Sequence, residues 1–178
     1  MLVDSLTAKI ASALNLGETG DLATLASSPE AYKPYHLGME LFEAAEYDAA
    51  VAKFEEAIAI DSTFALPYMR IGLAHQFVGR LGQSVQYLLQ AQQYQDRLPV
   101  RERRVLDAYV DTWANNEYDQ AFTKFESLVR DYPEDAEIRT MYALFINGFQ
   151  SDSTAAYAQL DTVLATYPTY AFALDQYA

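Results

Sequence analysis

Tyr47-Asp48-Ala49-Ala50-Val51-Ala52-Lys53-Phe54-Glu55-Glu56-Ala57 and Tyr118-Asp119-Gln120-Ala121-Phe122-Thr123-Lys124-Phe125-Glu126-Ser127-Leu128 share Tyr, Asp, Ala, Lys, Phe and Glu in register. They stand 71 positions apart, which is two periods of about 34 residues plus a short insertion, and a period of that length announces a stacked helical repeat. Residues 81–91 supply a weaker middle copy, with Leu81, Ser84, Leu88 and Ala91 at the Tyr, Ala, Phe and Ala positions. Tyr167-Pro168 echoes Tyr132-Pro133 at an offset of 35 and sets a fourth copy, in which Ala156, Leu160 and Val163 replace Ala121, Phe125 and Leu128.

Upstream of each copy, over residues 31–44, 65–78, 102–114 and 137–148, apolar residues recur at spacings of three and four, the signature of a helix with one buried face. Pro34, Pro67 and Pro133 fall at or just before the first turn of these helices, where a missing N–H costs nothing. Glu46, Gly79-Arg80, Asn115-Asn116-Glu117 and Ser151-Asp152-Ser153 are short polar turns between the paired helices. Each copy is therefore a helical hairpin. Gly38, Gly72, Ala50, Ala57, Ala91, Ala121 and Ala156 permit close helix approach, and Phe54, Leu88, Phe125 and Leu160 are the large residues that fill the space beside them. One hairpin alone cannot bury its apolar face, so stacking is obligatory. Strand signals are absent.

Composition agrees and narrows the partners. At 178 residues with 51% hydrophobic residues, the chain has ample core material for one domain. Its 25 acidic against 12 basic residues give a net charge of -13, which disfavours nucleic acid and anionic lipid as ligands. The absence of cysteine excludes disulfides, thiolate nucleophiles and Cys-ligated zinc. The first 16 residues carry Asp4 and Lys9 within an apolar pattern and do not read as a secretory signal, and no stretch reaches the ~18 apolar residues of a membrane span. A soluble protein, cytoplasmic rather than periplasmic, is expected.

Leu37-Gly38, Ala50, Phe54 and Ala57, then Ile71-Gly72 and Ala91, resemble the tetratricopeptide repeat (TPR) signature. The early Trp of that signature is missing throughout, Tyr109 and Leu144 stand at the small position of the first helix in repeats three and four, and Ser62 replaces the terminal Pro of repeat one. Phe64-Ala65-Leu66-Pro67-Tyr68, Asp96-Arg97-Leu98-Pro99-Val100-Arg101-Glu102-Arg103 and Val129-Arg130-Asp131-Tyr132-Pro133-Glu134-Asp135 together resemble the TPR portions of large bacterial signalling proteins, in which the repeats follow a serine/threonine kinase, an adenylate cyclase or a TolB-like region. The resemblance implies an all-α fold: a right-handed α-α superhelix (solenoid) of about four TPR hairpins, at residues 31–64, 65–98, 102–135 and 137–170. A further helix starts after them, and an N-terminal amphipathic helix and linker occupy residues 1–29, with Leu2, Val3, Leu6, Ile10, Ala13 and Leu14 on one face.

No catalytic residue, metal site or cofactor is expected, and the chain is not read as an enzyme. His36 and His75 lie on first helices of different repeats and are read as structural, His75 as a buried hydrogen-bonded residue. Glu55-Glu56 and Glu134-Asp135 are adjacent in sequence, so their side chains diverge by about 100° on a helix and share no substrate. No Gly-rich phosphate loop, nucleophile elbow or kinase motif occurs. The four arginines of residues 97–104, partly compensated by Glu102 and Asp107, are read as a solvated helix entry rather than an anion site.

The TPR resemblance places the fifth and ninth positions of each first helix on a concave groove. These are Tyr35 and Met39, Met69 and Leu73, Leu106 and Val110, and Met141 and Phe145, with Phe77, Trp113 and Phe149 near the far ends of the same helices. The stripe is apolar, aromatic and Met-bearing, which suits the apolar face of an amphipathic helix. The expected function is a scaffold holding a partner protein or peptide. The alternatives are coverage of the stripe by the N-terminal segment, or by a second copy in a homo-oligomer that orients the domains of a larger regulator.

Overall fold

The computed structural model describes residues 29–176, and all secondary structure among them is helical. The N-terminal amphipathic helix expected from the sequence lies outside the described residues. A 3-10 turn, Pro29–Ala31, leads into α1 (Tyr32–Glu43) and α2 (Tyr47–Ile60). Then come α3 (Ala65–Phe77) and α4 (Leu81–Gln93), a second 3-10 turn at Gln95–Arg97, and α5 (Val100–Val110). After α6 (Tyr118–Asp131), α7 (Ala136–Phe145) and α8 (Ser153–Thr166), the described chain ends in the short α9 (Ala171–Asp175). No helix of the described residues is long and apolar enough to cross a membrane.

The described chain falls into two compact units, residues 29–42 with 46–103 and residues 43–45 with 104–176. The first unit holds hairpins α1/α2 and α3/α4. Its core is Phe54, Phe64, Leu66, Met69, Ile71, Leu73 and Leu88, all fully buried. The glycines explain how closely the paired helices approach: a Cβ on Gly38 would stand 2.6 Å from the Phe54 ring, and one on Gly72 would stand 2.8 Å from Leu88 Cγ. Phe54 and Leu88 therefore plug the space that each missing side chain leaves open. Because α3 packs on α2 as well as on α4, it is buried on nearly every side, Arg70 and His75 included.

The second unit holds hairpins α5/α6 and α7/α8, with Leu106, Phe125, Leu128 and Ile138 at its centre. Here the first helix of each hairpin does not end as a plain α-helix. It widens into a π-helical turn, Asp111–Asn115 after α5 and Ile146–Gln150 after α7. A π turn holds one more residue than the α turn it replaces. Each first helix then stops at a residue in the left-handed region, and the four stops are Ala45 (φ 60°), Gly79 (φ 74°), Asn116 (φ 58°) and Ser151 (φ 54°). In the first unit the closing hydrogen bonds run from Glu46 N to Leu41 O (2.9 Å) and from Arg80 N to His75 O (2.8 Å), the six-to-one pattern of a Schellman stop. In the second unit the corresponding bond runs from Glu117 N to Asp111 O (2.8 Å), one residue further back.

That extra residue corrects the sequence register. Counted back across the π turn, Ala108 and Ala143 occupy the places of Gly38 and Gly72, and both are fully or almost fully buried. The small position of hairpins three and four is thus retained as Ala. Tyr109 and Leu144, which the sequence alignment put there, stand one residue further on, about 100° around the helix.

Candidate functional site

The eleven residues of the sequence-derived stripe separate into two groups. Met69, Leu73 and Leu106 are 0% exposed, and Tyr35, Val110, Met141 and Phe145 are also buried. Tyr35 packs its ring on Phe54 (5.7 Å) and Phe64 (5.1 Å), and Phe145 packs on Phe125 (5.3 Å) and Phe149 (5.0 Å). Met39, Phe77, Trp113 and Phe149 are half-buried and reach the surface. The π turns also shift the fifth and ninth positions in the second unit, so the residues equivalent to Met69 and Leu73 are Val105 and Tyr109 in hairpin three and Thr140 and Leu144 in hairpin four. Val105, Tyr109 and Thr140 are buried and Leu144 is half-buried. The one-residue shift was signalled by the offset of 35 between hairpins three and four against 34 between one and two, and by Ala108 and Ala143 each preceding the misplaced large residue.

The surface-reaching aromatics are organised at the turn end of the hairpins. In the first unit Phe42, Tyr47 and Phe77 form a three-ring cluster, with centroid separations of 5.4, 5.8 and 5.2 Å. In the second unit Trp113, Tyr118 and Phe149 form another, with Phe149 edge-on to Trp113 (5.4 Å) and stacked on Tyr118 (4.7 Å). The two are the same construction. Phe42 and Trp113 each precede a left-handed residue by three positions, Tyr47 and Tyr118 follow it by two, and Phe77 and Phe149 precede the next left-handed residue by two. Tyr118 is 41% exposed, so the second cluster presents ring surface to solvent. Sequence reading named Phe77, Trp113 and Phe149 singly and missed the clusters, because their members come from two successive hairpins.

The charged groups are largely engaged by the chain itself. Arg97 donates to Thr63 Oγ1 (2.7 Å), whose hydroxyl and backbone N–H both donate to Asp61 Oδ1, so the loop after α2 and the 3-10 turn after α4 are tied. Arg104 donates to Asp131 Oδ2 (2.6 Å) and Ser127 Oγ (2.9 Å) and lies over the Tyr132 ring at 5.6 Å. Arg104 holds the Asp131 carboxyl below its ordinary value through that hydrogen bond. Arg101 pairs with Glu102 (2.9 Å), the compensation read from the sequence, but both side chains are largely buried, which corrects the reading of this helix entry as solvated at Arg101. Lys124 pairs with Asp111 beside the π turn, and Asn115 also donates to Asp111 (3.2 Å).

No group of three or more His, Asp and Glu side chains that could hold an ion occurs among the described residues. His36 has an acidic neighbour one turn on, Glu40, at 3.8 Å on the surface. His75 is buried against the Tyr87 ring (5.6 Å), and its Nδ1 accepts or donates no hydrogen bond, so it is a packed ring rather than a hydrogen-bonded one. Burial pushes its imidazolium pKa down, and the Arg80 charge adds to that against opposing contributions from Asp48 and Glu55.

No family model and no curated protein matches the chain. Among solved structures, a crystal structure of the MamA protein is 16% identical with a TM-score of 0.45, covering 76% of this chain and 72% of that one. Another MamA crystal structure is 14% identical with a TM-score of 0.45, covering 93% and 86%. The crystal structure of YrrB, described as a TPR protein with an unusual peptide-binding site, is 14% identical with a TM-score of 0.40, covering 80% and 89%.

Proposed function

We propose that this chain is a TPR-type interaction module that holds a partner protein or an amphipathic peptide, serving as a regulatory or sensory part of a bacterial signalling protein. The observation that carries the reading is the hairpin packing itself. A Gly opposite Phe54 and another opposite Leu88, with Ala at the same places in hairpins three and four, reproduce the small-to-large pairing of the TPR signature at four successive positions. A scaffold of this kind recognises partners through apolar residues left at its surface, flanked by polar ones that set register. Of the stripe first read from the sequence, Met39, Phe77, Trp113 and Phe149 have that exposure. The buried members Leu73 and Val110 act through the fold, and charging them would test stability rather than recognition.

The second reading, self-association, is favoured by the large apolar side chains that remain exposed, among them Ile60, Leu81, Leu89 and Val100. One experiment separates the two. The purified chain and a Met39→Glu variant, matched for helicity by circular dichroism, are compared in partner capture from source lysate and in sedimentation velocity across a hundredfold concentration range. Capture lost in the variant, with a constant monomer mass, supports the scaffold. A mass that rises with concentration and is reset by the variant supports self-association. Equal capture by both proteins removes Met39 from the contact surface.

A further inference from the structure

The two aromatic clusters differ in one respect that points to a ligand. In the first unit the cluster is accompanied by cations of the chain itself. Arg80 pairs with Asp48 (2.5 Å) across the turn end, lowering the Asp48 carboxyl pKa through that hydrogen bond, and the Arg70 guanidinium lies over the Phe42 ring at 6.0 Å. In the second unit the equivalent of Asp48 is Asp119, 71 positions on, but the equivalent of Arg80, one residue after the left-handed stop, is Asp152. The arginine that lies over the first ring also has no counterpart. Counted across the π turn, Arg70 corresponds to Met141, and Trp113 takes the place of Phe42. The second cluster therefore keeps the rings and the acid and replaces the arginine with a second acid.

Among the described residues no ion pair with Asp119 or Asp152 restores the balance. Residues 105–123 and 140–178 contain no Lys or Arg, while Glu117, Asp119 and Asp152 all lie at this turn end. Among the described residues neither Asp119 nor Asp152 is paired with a cation. Lys124 is committed to Asp111, Arg104 to Asp131, and Arg139 to Gln159 and the Pro133 carbonyl. Asp152 uses one oxygen to cap α8, accepting from Ala155 N at 2.9 Å, which leaves its second oxygen for another donor. Stacked electron-rich rings beside uncompensated carboxylates form a surface that attracts a planar cation by ion pairing and by the ring quadrupole together.

We infer that the Trp113–Tyr118–Phe149 cluster with Asp119 and Asp152 is a docking site for an arginine side chain carried by a basic segment of the partner protein. This rests on the interaction-module reading above and names the chemistry of its partner. The incoming guanidinium takes the role that Arg80 and Arg70 play within the first unit. It pairs with Asp119 and lies against the exposed face of Tyr118. The net charge of -13 steers such a segment toward the chain and makes its capture salt-sensitive.

Trp113 is the only tryptophan in the chain, so its fluorescence reports this site alone. The full chain is titrated at low salt with acetyl-Gly-Arg-Gly-Arg-Gly-amide and with the same peptide carrying citrulline, a neutral side chain of the same shape. The expected result is a saturable change in Trp113 emission with the arginine peptide and none with citrulline. Asp119→Asn should weaken binding about tenfold, the loss of one charge-assisted contact. Asp152→Arg, which installs the first unit's arginine, should abolish binding. Since Asp152→Arg also removes a helix cap, Asp119→Asn is the variant that leaves the fold untouched, and both are checked for native helicity. Equal responses to the two peptides, no saturation, or unchanged affinity in Asp119→Asn would overturn the assignment. If the peptides fail while Met39-dependent capture of a partner persists, the interaction reading stands and the arginine site alone falls.

Discussion

The two units are built from the same hairpin, yet they close its first helix differently, and the difference shows which features of the repeat are fixed by packing. The first unit uses Gly38 and Gly72 against Phe54 and Leu88 and ends each first helix with an ordinary six-to-one hydrogen bond. The second uses Ala108 and Ala143 and absorbs one added residue in a π turn before the left-handed stop. In both, the plug, Phe54, Leu88, Phe125 or Leu160, stands nine positions after that stop. The hairpin tolerates an insertion within the helix, and the turn and the plug stay in register.

The comparison breaks first, if it breaks, at the plugs. Phe54→Ala and Phe125→Ala each remove a buried ring, and each should cost about 3 to 5 kcal/mol by chemical denaturation. A loss below ~1 kcal/mol in either would mean that the ring does not seal its hairpin. If the units unfold separately, each substitution should move only its own transition, which amide exchange resolves residue by residue.

The next largest effect sharpens the contrast between small residues. Gly72→Ala places a Cβ 2.8 Å from Leu88 Cγ and 3.3 Å from the Ser84 carbonyl, and a backbone oxygen cannot move aside as a flexible side chain does. The expected loss is about 1 to 3 kcal/mol, despite the better helix propensity of Ala. The reverse change, Ala143→Gly, should cost about 1 to 2 kcal/mol through backbone entropy and the loss of a buried methyl. Thermal melts of the two variants test whether the second unit has more space at this position. A stabilised Gly72→Ala would show that the pair is not in contact.

The repeat period, the hairpin, the plugs and the polar turns were legible in the sequence because each depends on residue type at a fixed spacing. The π turns were not, since no residue type encodes them. Their trace was a one-residue change in offset that looked like drift, and following it would have replaced Tyr109 with Ala108 and moved the stripe from Leu106 and Val110 to Val105 and Tyr109. The burial of Met69 and Leu73 was hidden for another reason. A helix face that lines a groove and one that is packed by neighbours have the same apolar composition, and only coordinates tell them apart. The aromatic clusters join residues some 30 positions apart, and a helix-by-helix scan does not connect them.

Capping gives a smaller contrast. Asp135 and Asp152, both in the second unit, cap their helices by accepting from Ile138 N (3.0 Å) and Ala155 N (2.9 Å), whereas Glu46 and Arg80, at the starts of α2 and α4, make no such bond. Asp135→Ala should cost about 1 kcal/mol, and Glu46→Ala should be close to neutral. A chemical denaturation series that finds equal costs would show that the side-chain caps add nothing in this repeat.

The smallest expected effect is a pH dependence confined to one unit. Both histidines, His36 and His75, belong to the first unit, and the second has none. His75 is buried on α3 against Tyr87, and desolvation, with a further contribution from Arg80, lowers its pKa below the ordinary 6.5. Between that folded value and 6.5 the unfolded chain binds more protons than the folded one, so stability is present above pH 6.5 and declines as the pH falls through the window. Asp48 and Glu55 favour the charged ring and reduce the size of the decline. The lowered carboxyls Asp48 and Asp131 act in a separate window, below 3.8, and do not blur it. Amide exchange at pH 7.5 and 5.5 should therefore show faster opening of α3 and α4 at the lower pH, after correction for intrinsic rates, with α6 to α8 unchanged. His75→Gln should remove the difference. A decline that survives this substitution, or that appears equally in the second unit, would assign the acid sensitivity to groups other than the buried imidazole.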